Sequence, residues 1–222
     1  MHALKGSRNC RLSQPLFGVR PCAIAAALLA FSGGAATADR IVLAPSGTTL
    51  SESSIKTEVM VGPFKTDYTW LSTSSADGIE MEFSRFESAK DPKKRWAAGV
   101  QYPLPTLQNL PSLVLGIQDI TCTGTQHAAF YVAGSQRIPL SSRQMRVVRR
   151  LTLSTGLGSG TIGGAFVSLE AGLPRRVFLN AELYRRRANF SAGFVTLKNL
   201  RVKADCVGGD MYYGASYHFT LK

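Results

Sequence analysis

Histidine and cysteine are scarce in this chain, which has three histidines and four cysteines among its 222 residues. Cys10 and Cys22 fall within the first 38 residues, so only Cys122 and Cys206 remain for the rest of the chain. The C-x-x-C and C-x-x-H spacings of metal sites are missing, and a disulfide between the two remaining cysteines is allowed without being required. The sequence therefore predicts no metal site and no bound cofactor.

Long apolar runs are also missing, because no stretch beyond residue 38 reaches the roughly 18 apolar residues that a membrane-spanning helix needs. The N-terminus has a shorter run, residues 23–31, which follows a basic stretch and precedes Ala36-Thr37-Ala38. This order is typical of a cleavable secretory signal peptide over residues 1–38, with cleavage near Ala38/Asp39. The remainder is expected to be a single exported domain that can enter a membrane only as β-strands.

Acidic residues are fewer than basic ones, and the formal net charge is +12. Loss of residues 1–38 would remove four basic side chains and no acidic one. A moderately basic exported protein favours anionic lipid or polysaccharide surfaces as partners over nucleic acid, which is scarce outside the cytoplasm. A solvated basic surface would explain the same charge equally well.

Apolar residues recur with a period of two in one segment after another, which predicts strands with one apolar face. A soluble β-sandwich would show the same alternation, so the period alone leaves that alternative open. The clearest apolar sets, each interleaved with mostly polar or small residues, are Ile79, Met81 and Phe83; Trp96, Ala98, Val100 and Tyr102; Val177, Leu179, Ala181 and Leu183; and Leu200, Val202, Ala204 and Cys206.

Three features favour a barrel in lipid over a sandwich. The segments are about ten residues long, the length of a tilted transmembrane strand, and their second faces are rich in Gly, Ser, Asn and Gln, as a lumen would be. Aromatic residues collect near the segment ends, where interfacial girdles lie. Turn signals divide the chain into about twelve strands, with ten or fourteen also allowed. We therefore predict an all-β fold, a single antiparallel transmembrane β-barrel over residues 55–222, preceded by a leader over 39–54 that is flexible or forms a partial plug.

Two stretches carry the motifs of a known group, and over about residues 95–220 the chain resembles the YjbH-like outer-membrane β-barrel proteins associated with exopolysaccharide production. The resemblance implies a bacterial outer-membrane barrel that acts in envelope or exopolysaccharide biogenesis or export. Its partners would be the lipid bilayer, lipopolysaccharide and the barrel-insertion machinery, with polysaccharide as a further candidate. The residues that match are Gly116, Asp119, Thr123, Gly124, Tyr131, Ala133 and Ser135 in the first stretch and Ala181, Glu182, Asn189 and Gly193 in the second.

Residues 158–163 spell G-x-G-x-x-G, the fingerprint of a phosphate cradle in dinucleotide-binding enzymes. A strand-like stretch precedes them, and Glu182 follows about twenty residues later, where such enzymes place a ribose ligand. The segment after the loop is too short for the required helix, and the predicted export sends the chain to a place where dinucleotides are scarce. A flexible, outward hairpin between the seventh and eighth strands is the better interpretation.

Six charged residues occupy the polar faces of predicted strands and are expected to face the lumen. Opposite charges there would balance one another, and in an open lumen they would set ion selectivity. General acid–base catalysis of glycan cleavage by Glu80 and Glu82 is the less favoured alternative. The six are Glu80, Glu82, Glu182, Arg201, Lys203 and Asp205.

Arg185, Arg186 and Arg187 form a basic cluster near a strand end that is expected on the outer side of the membrane. Their guanidinium groups there would pair with lipopolysaccharide phosphates, and a solubilising loop is the alternative.

Ser216 and His218 share one face of the last predicted strand, which raises the question of a hydrolase. No G-x-S-x-G elbow and no orienting acid accompany them. We therefore predict a non-enzymatic outer-membrane barrel in envelope or exopolysaccharide biogenesis or export, or in passive permeation. The alternatives are a lipid or glycan hydrolase that uses these two residues and a soluble periplasmic β-sandwich that binds a partner.

Overall fold

The chain forms a closed ring of β-strands. The computed structural model describes residues 43–63, 66–88, 91–105, 110–122, 127–197 and 199–220. Twelve strands lie in this part of the chain; each is antiparallel to its neighbours in sequence, and the last pairs with the first, so the predicted antiparallel barrel is confirmed. They are β1 (Ser54–Val61), β2 (Asp67–Ser74), β3 (Glu80–Ser88), β4 (Asp91–Pro103), β5 (Ser112–Gln118), β6 (Ala129–Arg137), β7 (Arg150–Gly158), β8 (Gly164–Gly172), β9 (Val177–Tyr184), β10 (Arg187–Leu197), β11 (Leu200–Val207) and β12 (Asp210–Thr220).

The pairing of β1 with β12 closes the barrel. Ser54 lies opposite Thr220 at one end of this pair and Val61 lies opposite Tyr213 at the other. Every strand of the described ring therefore has a partner on both sides, and the sheet has no free edge. The predicted signal peptide and its cleavage site lie outside the described residues, and the division into signal, leader and barrel stays a prediction.

The two faces of the strands differ in polarity: large apolar side chains predominate on the outer face, and most of the buried polar and charged side chains lie on the inner face. Along β9, Leu179 and Leu183 are exposed while Asn180 and Glu182 are buried inside the ring. A soluble β-sandwich would bury its apolar face between two sheets, so that alternative is wrong. The exposed large apolar side chains of the strands include Val59, Val61, Leu71, Met81, Phe83, Leu115, Phe130, Val132, Val167, Leu169, Phe190, Phe194, Met211 and Phe219.

The connections between strands alternate between the two ends of the barrel. The end at which β1 begins and β12 ends, here called the terminal end, also carries the turn Pro174–Arg176 between β8 and β9. The opposite end carries the glycine loop between β7 and β8 and the two-residue turn between β9 and β10. The structure thus separates these two connections from Pro174–Arg176 by the full height of the barrel.

The glycine loop joins two strands and turns into the barrel. Gly160–Ile162 form one short 3-10 turn, and Gly164–Gly172 continue as β8, so the helix of a dinucleotide fingerprint is not formed. Ile162 is fully buried inside the ring, and a Cβ at Gly158 would collide with it. The predicted hairpin between the seventh and eighth strands is confirmed, and its placement on the outer side of the membrane stays a prediction.

Residues 43–50, here called the inner segment, lie inside the barrel although they form no strand. Ala44 is fully buried in a cluster with side chains of the wall, and Leu43 packs against this cluster and a second one. The first cluster contains Val114, Ala129, Tyr131, Ala133, Ile162, Phe166 and Tyr184, and the second contains Met60, Trp70 and Tyr212. The interior of the barrel is therefore partly filled by the chain's own backbone.

The structure shows where the predicted apolar face of β5 ends and whether the two remaining cysteines pair. Asp119, which would continue the apolar face of β5, lies just beyond the strand with φ 52° and is buried. Cys206 on β11 is a free, half-buried thiol, so the allowed disulfide to Cys122 does not form. Among the described residues, no helix has the length and apolarity to cross a membrane.

Candidate functional site

The inner wall of the barrel carries an ion-pair cluster on β1 and β11. The Nζ atom of Lys203 lies 2.6 Å from Glu58 Oε1 and 3.0 Å from Asp205 Oδ2. Lys56 Nζ lies 3.1 Å from Glu58 Oε2. Gly214 on β12 stands between Lys203 and Met60 in the register and offers no side chain, so the lysine spans the intervening strand. Two cations and two carboxylates thus balance one another on the wall.

The register explains which charges meet in this cluster. Strand alternation points to Lys203 and Asp205 as a pair on one face, and the structure brings these two side chains together. Glu58 and Lys56 are missed by the sequence reasoning, although they also alternate with Ile55 and Val59. The alternation in β1 indicates that both charged side chains face inward, but the sequence does not show that β1 pairs with β12.

Arg201 faces the same wall and lies one repeat from Lys203 along β11. Its guanidinium carbon is 5.5 Å from the centre of the Phe178 ring on β9. The strand between them, β10, has Gly193 opposite Phe178, so no side chain separates the two groups. A cation over an aromatic face is attracted by the ring quadrupole, and Arg201 is therefore held flat against the wall.

Two of the three predicted glutamates accept hydrogen bonds from the inner segment, and the third lines the lumen. Glu182 is buried and accepts hydrogen bonds from the backbone N–H of Leu43 at 3.1 Å, from that of Ala44 at 3.0 Å and from the Asn189 side chain at 2.7 Å. Glu80 accepts a hydrogen bond from the Leu50 N–H at 2.9 Å. Glu82 lines the open space of the lumen. Glu80 and Glu182 therefore bind the backbone of the inner segment.

The predicted arginine cluster occupies the turn between β9 and β10 at the opposite end. Arg185 and Arg186 have φ angles of 52° and 60°, which gives a tight two-residue connection, and Arg187 begins β10. All three side chains are exposed, and the guanidinium of Arg185 lies 5.2 Å from the centre of the Tyr184 ring. Contact of this turn with lipopolysaccharide stays a prediction.

Ser216 and His218 both face the interior, but the structure does not assemble them into a catalytic pair. Ser216 lies opposite Glu58 on β1, and His218 lies opposite Lys56. No hydrogen bond joins the two side chains, and the buried Nε2 of His218 has no hydrogen-bond partner among the described residues. A serine nucleophile needs an adjacent base, so this arrangement does not favour the hydrolase alternative.

An aromatic wall stands on the inner side of β2, β3 and β12. The rings of Tyr68 and Trp70 are stacked with centres 5.3 Å apart, and Phe86 is tilted against Tyr68 at 4.6 Å. Tyr212 meets the Tyr68 ring edge-on at 5.6 Å. Four rings from three strands therefore form one continuous face.

This aromatic wall borders a cavity of about 450 Å³, here called the vestibule, at the opposite end of the barrel. Thr161 of the glycine loop and Arg185 line its rim, Arg95 projects into it from β4, and Leu43 of the inner segment lies at its base. A second cavity of only about 50 Å³ adjoins it, lined by Pro45, Ser46 and Leu50 together with wall residues that include Glu58, Glu80 and Gln101. The free space beside the inner segment is thus much smaller than the vestibule.

The described residues hold no group of three or more His, Cys, Asp or Glu side chains able to bind a metal ion.

Two solved structures share this fold. KdgM porin superimposes with a TM-score of 0.52 at 12% sequence identity, over 76% of this chain and 99% of that chain. KdgM porin in complex with disordered oligogalacturonate gives a TM-score of 0.51 at the same identity and coverage. No protein-family model matches the chain, and no characterised protein matches it in sequence. The similarity identifies the fold as that of a porin barrel, and membership of the YjbH-like group stays a prediction.

Proposed function

We propose that this chain is a non-enzymatic outer-membrane barrel that lets small hydrophilic solutes diffuse passively. The observation that carries the proposal is the distribution of side chains: a continuous set of large apolar residues is exposed on the outer face, while buried hydroxyl, amide and charged residues share the interior with the two apolar clusters. Such sorting suits a barrel that has lipid around it and water within it. The porin fold of its structural neighbours supports the same assignment. A role in exopolysaccharide biogenesis or export stays a prediction from the resemblance.

The vestibule favours saccharides that carry acidic groups. Its aromatic wall offers apolar ring faces, while Arg95 and Arg185 supply guanidinium donors able to bind a carboxylate. One of the two KdgM porin structures is a complex with oligogalacturonate, an acidic oligosaccharide. We therefore infer that small acidic saccharides enter this lumen in preference to neutral ones of the same size.

Cell fractionation and electrophoresis test the location of the protein. We expect recovery in the outer-membrane fraction, extraction only with detergent, and a folded band that migrates differently after boiling. Purified protein should then give stepwise conductance in a planar bilayer. Recovery of the native chain in the soluble periplasmic fraction would contradict the proposal.

Liposome swelling tests the preference for acidic saccharides. Entry of digalacturonate should exceed that of a neutral disaccharide, and the double variant Arg95→Gln/Arg185→Gln should lower this ratio about threefold, since two cations are lost from the vestibule. Arg176→Gln is the matched control, because Arg176 lies at the terminal end and outside the vestibule. An unchanged ratio in the double variant would show that these arginines do not select the solute.

A further inference from the structure

The inner segment occupies the lumen through contacts with strands on several sides of the barrel. Its N–H groups donate to Glu182 on β9, to the Ser135 hydroxyl on β6 at 2.7 Å and to Glu80 on β3 at 2.9 Å. Gln101 on β4 donates from Nε2 to the carbonyl oxygen of Thr48 at 3.0 Å. The segment therefore crosses the interior from β9 to β3 before β1 begins.

These contacts differ in kind from those that hold the barrel. Each joins a backbone group of the inner segment to a side chain of the wall, whereas the barrel is held by backbone ladders between strands. Water can replace a side-chain partner in a polar lumen at little net loss, while a ladder in lipid has no substitute. The inner segment can therefore leave its site without opening the ring.

The inner segment lines the smaller of the two adjoining cavities. Above it lies the vestibule of about 450 Å³, and beside Pro45, Ser46 and Leu50 the free space falls to about 50 Å³. A space of that size holds only a few water molecules and excludes a saccharide. Removal of residues 43–50 would join the vestibule to the small cavity that Pro45, Ser46 and Leu50 now line.

We propose that the inner segment is a displaceable plug that limits passage through the channel. The proposal rests on the proposed function, since a plug has meaning only in a barrel that conducts. It assigns to Glu80, Gln101, Ser135 and Glu182 the role of a binding site for the chain's own backbone. Solute flow then depends on how often this segment leaves that site.

Gly47 provides a substitution that displaces the segment without altering the wall. A Cβ at this position would overlap the backbone of Gly134 and Ser135, so Gly47→Leu cannot occupy the site in the observed manner. Glu52→Gln is the matched control, because Glu52 follows the inner segment and is exposed at the terminal end. A variant that lacks residues 43–50 removes the segment altogether.

Single-channel conductance of the four proteins, each shown to be folded by heat-modifiable migration, decides the question. We expect Gly47→Leu and the deletion variant to conduct at least about threefold more than the unmodified protein, and Glu52→Gln to match it. Equal conductance in all four would overturn the plug and leave the channel standing. Silence of all four, with correct folding, would overturn the channel and the plug together.

Discussion

The charged residues of the ion-pair cluster in this lumen are stabilised by neighbours on their own strand and by one contact between strands, that of Lys203 with Glu58. Lys203 lies between two carboxylates, and Glu58 lies between two ammonium groups, with both side chains almost completely buried. Period-two alternation was enough to predict the inward direction of Lys203 and Asp205. It did not predict Glu58 as the second partner of Lys203, because that contact forms only when residues 54–61 pair with residues 213–220.

Lys203→Met should destabilise the barrel by about 3 kcal/mol, because it leaves the Asp205 carboxylate buried without its cation. It also removes one of the two ammonium groups that pair with Glu58. The free energy of unfolding, measured by urea titration in lipid vesicles, checks this. Lys203→Arg is the control, since it keeps the charge and should retain most of the stability. Wild-type stability in Lys203→Met would mean that water, and not the lysine, stabilises these carboxylates.

The direction of the glycine loop is determined by residues outside the loop. Its sequence matches the G-x-G-x-x-G motif of a phosphate-binding loop. The alternating strands on both sides correctly indicate a hairpin. The inward direction was not predictable, because it depends on Ile162 joining a buried cluster whose other members include Ala44, Val114 and Ala129 from distant parts of the chain. Glycine at 160 and 163, with φ of 55° and 74°, permits the tight turn that buries Ile162.

Ile162→Ala should lower the free energy of unfolding by about 2 to 4 kcal/mol, because the side chain is fully buried and its loss leaves a cavity. The same urea titration measures it. Val147→Ala removes a comparable side chain from an exposed connection at the terminal end, where the relative exposure is 68%, and should change stability little. Equal effects of the two substitutions would show that the loop does not hold its inward position in lipid.

The whole molecule is a ring whose strand number and antiparallel order followed from turn spacing and alternation. Those patterns could not predict which part of the chain fills the lumen. Residues 44–54 have no period, and a leader without a period can lie below a barrel or within it. Its place is fixed by acceptors on β3, β6 and β9, which no local pattern connects.

The outer surface provides the test of the molecule as a membrane barrel. Val167 lies near the middle of β8 and is exposed on the apolar face, next to the inward Ser168. If lipid surrounds the ring, Val167→Arg should destabilise it by about 2 to 4 kcal/mol in vesicles, because a guanidinium near the bilayer midplane loses its hydration.

Val147→Arg places the same charge on a connection outside the strands and should change the free energy of unfolding by less than about 0.5 kcal/mol. The difference between the two variants isolates the effect of position, since both replace an exposed valine by arginine. A membrane barrel requires the β8 variant to be the less stable by a wide margin. Equal stability of the two in vesicles would mean that water, and not lipid, covers the apolar face of β8.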